Sequence, residues 1–206
     1  MELLDIYDEN GNHIGVEDRK KVHTDALWHK TVHAWLYDKE GNVYFQIRTE
    51  EGKLYTTASG HLQAGDTVES AFKREIFEEI GLDIDSSDAT KVDVVRFVLD
   101  RENKDGSMFR DRVFANVYVD EFDGDISKFN FDPNEVKGLV KLNAKEALNL
   151  VLTEKGSIKG FEIIQVDNEI KEIEKEFTIE DFLVNKGETA EGKYAKVLEK
   201  IIEITK

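Results

Sequence analysis

The chain of 206 residues contains no cysteine, which excludes disulfide bonds, thiolate metal sites and a cysteine nucleophile. It also lacks any apolar run close to the roughly 20 residues that a membrane-spanning helix requires. The opening residues, MELLDIYDENG, have neither the basic flank nor the apolar stretch of a secretory leader. These absences predict a cytoplasmic protein that does not interact with a membrane.

Basic residues are scarce, with 28 lysines and arginines against 44 aspartates and glutamates and a net charge of −16. A nucleic-acid-binding surface needs a basic surplus to neutralise phosphates, so no nucleic-acid partner is expected. The 40% of hydrophobic and 35% of charged residues are typical of a folded globular protein. An anionic ligand would need cations between itself and this acidic chain.

Turn signals between runs of β-forming residues predict three hairpins and, with the helices that follow, an α+β fold with helices on a mixed sheet. The first hairpin covers residues 2–16, the second joins Thr31–Tyr37 to Val43–Arg48, and the third turns at Lys104-Asp105-Gly106. The later predicted elements are a strand at NEVKGLVKL, a helix capped by Asn143, a strand at FEIIQV and a helix at EGKYAKVLEKIIEI.

The chain length suits one domain. We expect a core of about residues 28–152, an N-terminal hairpin at 1–20 and a C-terminal extension at 153–206.

The stretch GHLQAGDTVESAFKREIFEEIGL has clear helix boundaries. Asp66, followed three residues later by Glu69, has the form of a capping box. Gly81 suits the left-handed conformation that ends many helices. Together these signals predict a helix over Thr67–Ile80.

At about 100° per residue, Glu75, Glu78 and Glu79 fall on one stripe of this helix. The adjacent stripe carries Phe72, Ile76 and Ile80, which are expected to face the sheet. Neighbouring like charges cost about 0.2–0.5 kcal/mol per pair in an isolated helix, and more where solvent is excluded. A divalent cation removes that conflict, and oxygen ligands suit Mg²⁺ or Mn²⁺.

The same stretch resembles the signature of the Nudix hydrolases. In that signature a glycine and a glutamate precede the run Arg-Glu-aliphatic-any-Glu-Glu-any-Gly-aliphatic, which REIFEEIGL matches here. Gly60 supplies the opening glycine, whereas Asp66 replaces the first glutamate. The resemblance implies a Nudix fold, with a mixed sheet between helices in an α/β/α arrangement. It also implies Mg²⁺-dependent attack of water on a diphosphate linkage in a small nucleoside-diphosphate-type molecule.

The resemblance further implies roles for individual residues. Glu75, Glu78 and Glu79 are candidate metal ligands and catalytic carboxylates, and the Gly60 carbonyl is a further candidate ligand. Arg74 is a candidate for orienting a glutamate by ion pairing. The candidate substrate-binding residues are Arg48, His61 and Glu135, of which the last is equally typical of a surface loop. Relatives are commonly homodimers, which makes a homodimer the candidate assembly, while the sequence leaves the oligomeric state open.

A second resemblance is to isopentenyl-diphosphate isomerase, a branch of the same superfamily, in the segments HTDALWHK and YTTASGHLQAGD. That enzyme binds a metal ion through three histidines and two glutamates and uses a catalytic cysteine. Here His29 and His61 match, and His23 aligns after a one-residue deletion. Ser59 stands in the cysteine position, and the segment FRDRVF lacks the glutamates. We therefore favour a hydrolase over an isomerase or a non-catalytic nucleotide-binding sensor.

Four histidines near this segment have two interpretations, a second metal cluster or ordinary hydrogen-bonded positions in the fold. They are His23, His29, His33 and His61.

Overall fold

The computed structural model describes residues 2–84, 86–103, 105–167, 169–185 and 188–206. Lys104 of the predicted third turn lies outside these residues. The helices are α1 Arg19–Thr24, α2 Val68–Ile80, α3 Ala144–Thr153 and α4 Ala190–Ile204. The strands are β1 Leu3–Tyr7, β2 His13–Asp18, β3 Trp28–Tyr37, β4 Asn42–Arg48, β5 Leu54–Tyr55, β6 Ala58–His61, β7 Thr90–Glu102, β8 Met108–Glu121, β9 Val136–Asn143, β10 Ile158–Val166 and β11 Glu169–Phe177. None of the helices in the described ranges is long and apolar enough to cross a membrane.

The strands form one mixed sheet in the order β11-β10-β9-β4-β3-β1-β2. β8 pairs in parallel with β3, and β7 pairs antiparallel with β8. The short strands β5 and β6 pair with β4 and β3 respectively. The three predicted hairpins are confirmed as β1–β2, β3–β4 and β7–β8. The predicted α+β class is therefore confirmed.

Helices cover both faces of the sheet. On one face, Phe72, Ile76 and Ile80 of α2 are buried against alternate residues of β3, as predicted. On the other face, α3 and α4 pack together and bury Leu150 and Tyr194. Burying each such side chain contributes about 1.5–3 kcal/mol, so both helical layers stabilise the sheet.

The start of α2 differs from the prediction by one residue. Thr67 is the N-cap and forms a capping box with Ser70, whereas the sequence predicted that Asp66 would cap the helix. The carboxylate of Asp66 instead accepts a hydrogen bond from Arg74 at 3.0 Å. The helix ends as predicted, with Gly81 in the left-handed conformation at φ 75°.

Four of these elements were not predicted from the sequence: α1, β5, β6 and β11. β11 is an edge strand with mostly exposed, charged side chains, so it lacks the apolar alternation that predicts a strand. Its charges pair across to β10, as in the 2.9 Å contact of Lys159 with Glu174. β10 in turn pairs with β9, so the first two strands after residue 153 continue the central sheet.

Candidate active site

All the predicted site residues line one open cleft of 640 Å³. They are Arg48, Gly60, His61, Arg74, Glu75, Glu78, Glu79 and Glu135. The cleft lies where α2 and β6 meet the ends of β4 and β8, so segments far apart in the chain contribute to it. Their proximity agrees with the sequence analysis, while their individual roles stay predictions.

Glu79 is the most buried carboxylate of the cleft, with 4% of its surface exposed. The amide of Gln46 donates to its Oε2 at 2.9 Å, and the backbone N–H of Ser59 donates to its Oε1 at 3.2 Å. Burial raises the pKa of Glu79 well above its ordinary value, and the charge of Glu75 adds to that. Both oxygens are thus held in place in a site that disfavours an uncompensated charge.

Arg74 holds the neighbouring carboxylate, Glu75. Its Nη1 lies 2.5 Å from Oε1 of Glu75. Its Nη2 donates to Asp66 at 3.0 Å and to the backbone carbonyl of His61 at 2.8 Å. Asp66, the departure from the Nudix pattern, therefore keeps a carboxylate where it can orient Arg74.

Burial raises the pKa of Glu75 to about 7, although Arg74 opposes the shift. The charges of Glu78 and Glu135 raise it further. Carboxylates that lie close together repel one another, most strongly where they are buried, unless a cation lies between them. This donor set of hard oxygens fits a divalent cation such as Mg²⁺.

Gly60 lies directly against Glu75. A Cβ atom at this position would overlap the Glu75 carboxylate. The absence of a side chain therefore lets backbone and carboxylate share one small space, as expected for a backbone position next to a metal site.

Glu78 occupies the rim of the cleft, because its side chain is 57% exposed and lies 3.4 Å from Arg74. Helical spacing places all three glutamates on the same stripe of α2. Packing of the helix against the sheet buries Glu75 and Glu79 but leaves Glu78 exposed.

The predicted substrate-binding residues lie around this centre. Arg48 pairs with Glu51 at 2.7 Å and lies over the ring of Tyr55. Glu135 is exposed in the loop before β9, and its charge contributes to the raised pKa of both Glu75 and Glu79. The position of Glu135 is consistent with the late carboxylate that the family resemblance implies.

Three of the four histidines form a cluster beside the cleft. The ring nitrogens of His23, His29 and His61 offer ligand atoms within 4.8 Å of one another. His33 is not part of this group, and its ring makes a T-shaped contact with the ring of Tyr55. Asp111 completes the cluster, with Oδ1 at 3.3 Å from Nε2 of His29 and 3.6 Å from Nε2 of His23.

The hydrogen bonds of these histidines turn lone pairs toward the centre of the cluster. The Nδ1 atoms of His23 and His29 each lie within hydrogen-bond distance of a backbone carbonyl, which makes Nδ1–H the donor and leaves Nε2 without a proton in the neutral ring. Burial lowers the pKa of His29 to about 4 and that of His61 to about 2, which keeps both rings neutral. Nε2 of His29 and Oδ1 of Asp111 are buried without a hydrogen-bond partner in the described residues. Imidazole and carboxylate ligands in this arrangement fit a transition-metal ion such as Zn²⁺.

We expect the protein to bind one Co²⁺ ion, a spectroscopic substitute for Zn²⁺, at the histidine cluster. Visible absorption titration measures this binding. Loss of a group that only supports a metal ligand typically weakens metal binding by about 10–100-fold. His29→Ala removes a ligand itself and should weaken Co²⁺ binding by more than that. Asp111→Asn should also weaken it, whereas the control His33→Ala should not. Equal Co²⁺ affinity in all four proteins would contradict the assignment.

Three members of the site were not predicted from the sequence. Gln46 carried no signal, because a polar residue within a strand is usually solvent-facing. Asp111 was not predicted because the isomerase resemblance implies glutamates, not an aspartate, in the segment FRDRVF. Lys193 lines the cleft from α4, and nothing in its local sequence indicates that.

The fold is a mixed sheet between helices, and the site is an acidic cleft along α2. The chain is therefore an α+β protein with a site suited to a divalent cation. Comparison with known proteins then gives the family. Residues 27–162 match the model of the NUDIX domain. The chain is 31% identical over 153 residues to an uncharacterized Nudix hydrolase from Clostridium acetobutylicum, covering 70% of this chain and 71% of that protein. The chain therefore belongs to the Nudix hydrolase family, whose enzymes generally use divalent metal ions.

Two further similarities concern the subgroup and the fold. An isopentenyl-diphosphate Delta-isomerase from Serratia proteamaculans is 25% identical over 132 residues, covering 60% of this chain and 68% of that protein. The crystal structure of DR0079 from Deinococcus radiodurans superposes with a TM-score of 0.53 at 23% identity, covering 75% of this chain and 91% of that one. The first likeness agrees with the expected isomerase-like subgroup, and the second confirms the fold.

Proposed function

We propose that this protein hydrolyses a diphosphate linkage in a nucleoside-diphosphate-type compound, with Mg²⁺ as cofactor and Mn²⁺ as an effective substitute. The observation that carries the proposal is the pair Glu75 and Glu79, two buried carboxylates on one helical face lining an open cleft. A structural helix face would leave such charges in water, since burying them unpaired is costly.

Glu75 and Glu79 would hold the ion, with the Gly60 backbone beside them and Glu78 at the rim. When bound, the ion would stabilise charge on phosphate oxygens and lower the pKa of a coordinated water. The proposal needs no basic surface of the kind that nucleic-acid binders have, which agrees with the net charge of −16.

The chain's own residues position the reactants. Arg74 fixes Glu75, while Gln46 and the Ser59 N–H fix Glu79. Glu135, exposed and close to both carboxylates, is a candidate general base for the attacking water, as are the carboxylates of α2. Arg48 can contact a phosphate oxygen.

A second candidate function is an isomerase acting on isopentenyl diphosphate, favoured by the cluster of His23, His29 and His61. Ser59 counts against it, because a serine of ordinary pKa does not replace a thiol in proton transfer without a dedicated base. A non-catalytic nucleotide sensor is less favoured, since the metal-type carboxylates are all present.

The test is to incubate the protein with Mg²⁺ and a panel of nucleoside diphosphates, nucleoside triphosphates, nucleotide sugars, dinucleotides and isopentenyl diphosphate. Products are followed by chromatography. We expect Mg²⁺-dependent release of a nucleoside monophosphate or phosphate from at least one nucleotide. Isomerisation of isopentenyl diphosphate without any hydrolysis would establish the second candidate instead. Nucleotide binding without turnover would establish the sensor.

The expected partner is thus a small diphosphate compound, with no nucleic acid or membrane. The cytoplasmic location and the homodimer stay predictions from the sequence.

A further inference from the structure

A second cavity, of 440 Å³, lies behind the cleft, between the sheet and the first half of α4. Thr31, His33, Tyr55, Asp111 and Lys193 line both spaces, so the cavity and the cleft meet there. Its volume is within the range of small-molecule sites, about 300–1,000 Å³. One wall of this cavity comes from the C-terminal extension, to which sequence analysis assigned no role.

The cavity is mostly apolar. Its apolar walls include Trp35, Val95, Val113, Ala115, Val117 and Val197. Four of the charged side chains among the described lining residues form ion pairs, Lys196 with Asp93 at 2.7 Å and Lys193 with Glu188 at 3.0 Å. The remaining one, Asp111, lies against His29 at the edge that the cavity shares with the cleft. An occupant therefore needs little charge of its own in this space.

Two polar groups on the sheet side of the cavity lack partners. The indole N–H of Trp35 and the hydroxyl of Thr31 are buried without a hydrogen-bond partner in the described residues. An indole N–H is a donor only, so its partner must be an acceptor. A hydrocarbon chain would leave both groups unsatisfied, and a sugar would bury several hydroxyls against valine. A heteroaromatic ring combines an apolar face with a few acceptor atoms.

Lys193 lies where the cavity meets the cleft. Its side chain is 14% exposed, and its Nζ lies 4.9 Å from the centre of the Tyr55 ring. Arg48 lies over the same ring at 5.5 Å. Two cations therefore flank Tyr55 at the boundary between an acidic cleft and an apolar cavity. Burial lowers the pKa of Lys193 while Glu188 opposes the shift, and a phosphate would act in the same direction as Glu188.

We propose that the cavity under α4 binds the heteroaromatic base of the diphosphate substrate and that Lys193 binds a phosphate at its entrance. This inference rests on the proposed function and adds where the base lies and which part of the chain selects it. The C-terminal extension would then be a specificity element of the enzyme.

Trp35 allows the site to be tested by fluorescence, because the chain has two tryptophans and Trp28 lies on the other side of β8, against Phe114 and Arg96. In a Trp28→Phe background, the protein with Mg²⁺ is titrated with three non-hydrolysable probes. They are methylenediphosphonate, the α,β-methylene analogue of ADP, and the geranyl ester of methylenediphosphonate. Calorimetry supplies the dissociation constants.

We expect the ADP analogue to change Trp35 emission saturably and to bind at least roughly 10-fold more tightly than methylenediphosphonate, since an aromatic ring is buried. Ala115→Leu, which fills the cavity, should remove both the emission change and the extra affinity while sparing methylenediphosphonate. Val95→Phe should also fill the cavity and have the same effects. Because Val95 is half-exposed, this variant tests the inference even if Ala115→Leu does not fold. Lys193→Met should weaken all the probes that bind, whereas the control Lys200→Met, altering a lysine of the same helix that lines neither the cavity nor the cleft, should not.

Two outcomes would overturn the inference alone. One is tight binding of the ADP analogue with unchanged Trp35 emission and no effect of the cavity-filling variants. The other is a cavity-dependent gain for the geranyl probe and none for the ADP analogue, which would assign a hydrocarbon. If none of the probes, including methylenediphosphonate, binds with Mg²⁺, the proposed function fails as well.

Discussion

Glu79→Gln is expected to lower the turnover of a diphosphate substrate by about 10²–10³-fold, the cost of losing one preorganised charge-stabilising group. Glutamine keeps the volume of the side chain but loses the charge that would bind a cation. Gln46 and the Ser59 N–H donate to the two different oxygens of Glu79. The amide of the introduced glutamine can accept only one of these hydrogen bonds, because its NH₂ group then faces the other donor. The fold should persist. The substitution costs one hydrogen bond, but it also removes a carboxylate whose charged form is disfavoured by burial, as its raised pKa indicates.

Thermal unfolding with and without Mg²⁺ separates this effect from a loss of stability. A ligand at 100 times its dissociation constant stabilises the native state by about 2.7 kcal/mol, which is roughly a 5–10 °C rise in Tm for a chain of this size. We expect that rise for the native protein and little of it for Glu79→Gln. Glu69→Gln is the matched control, because Glu69 is an exposed glutamate in the first turn of the same helix. Full activity of Glu79→Gln would remove the basis of the proposed function.

Gly60→Ala is the second change with a large expected effect, a loss of activity of about 10²-fold with nearly unchanged stability. The added Cβ would overlap the Glu75 carboxylate, which is the end of a flexible side chain and can move away. Its displacement breaks the 2.5 Å contact with Arg74 and shifts a candidate metal ligand. A misplacement of about 1 Å at a reacting centre can cost about 10²-fold in rate.

Gly160→Ala is the contrasting variant. Its Cβ would meet the side chain of Leu142 and lie 2.8 Å from the backbone oxygen of Lys141, which belongs to a paired strand and cannot move freely. We expect Gly160→Ala to lower Tm and to leave the activity of the remaining folded protein unchanged. Activity assays and thermal unfolding on both variants test the distinction. If Gly60→Ala lost stability rather than activity, Gly60 would be a packing position instead of part of the site.

Local patterns in the sequence predicted much of the fold. The hairpins follow from turn residues between β-forming runs, and α2 follows from its apolar spacing and the glycine at its end. The cap of α2 was misplaced by one residue because Asp66 and Thr67 are both good N-caps, and Asp66 is held by Arg74 instead. β11 could not be predicted, because the exposed, charged side chains of this edge strand lack the apolar alternation of a half-buried strand.

The sequence by itself determined the chemistry carried by α2, since the helical period places Glu75, Glu78 and Glu79 on one side. Only the tertiary structure decided which of these three carboxylates are buried, because burial depends on the sheet packed against the helix. It likewise brought Asp111 to the histidines and Lys193 to the cleft. These neighbours come from strands and helices distant in the chain, and local spacing holds no information about which of them meet when the sheet assembles.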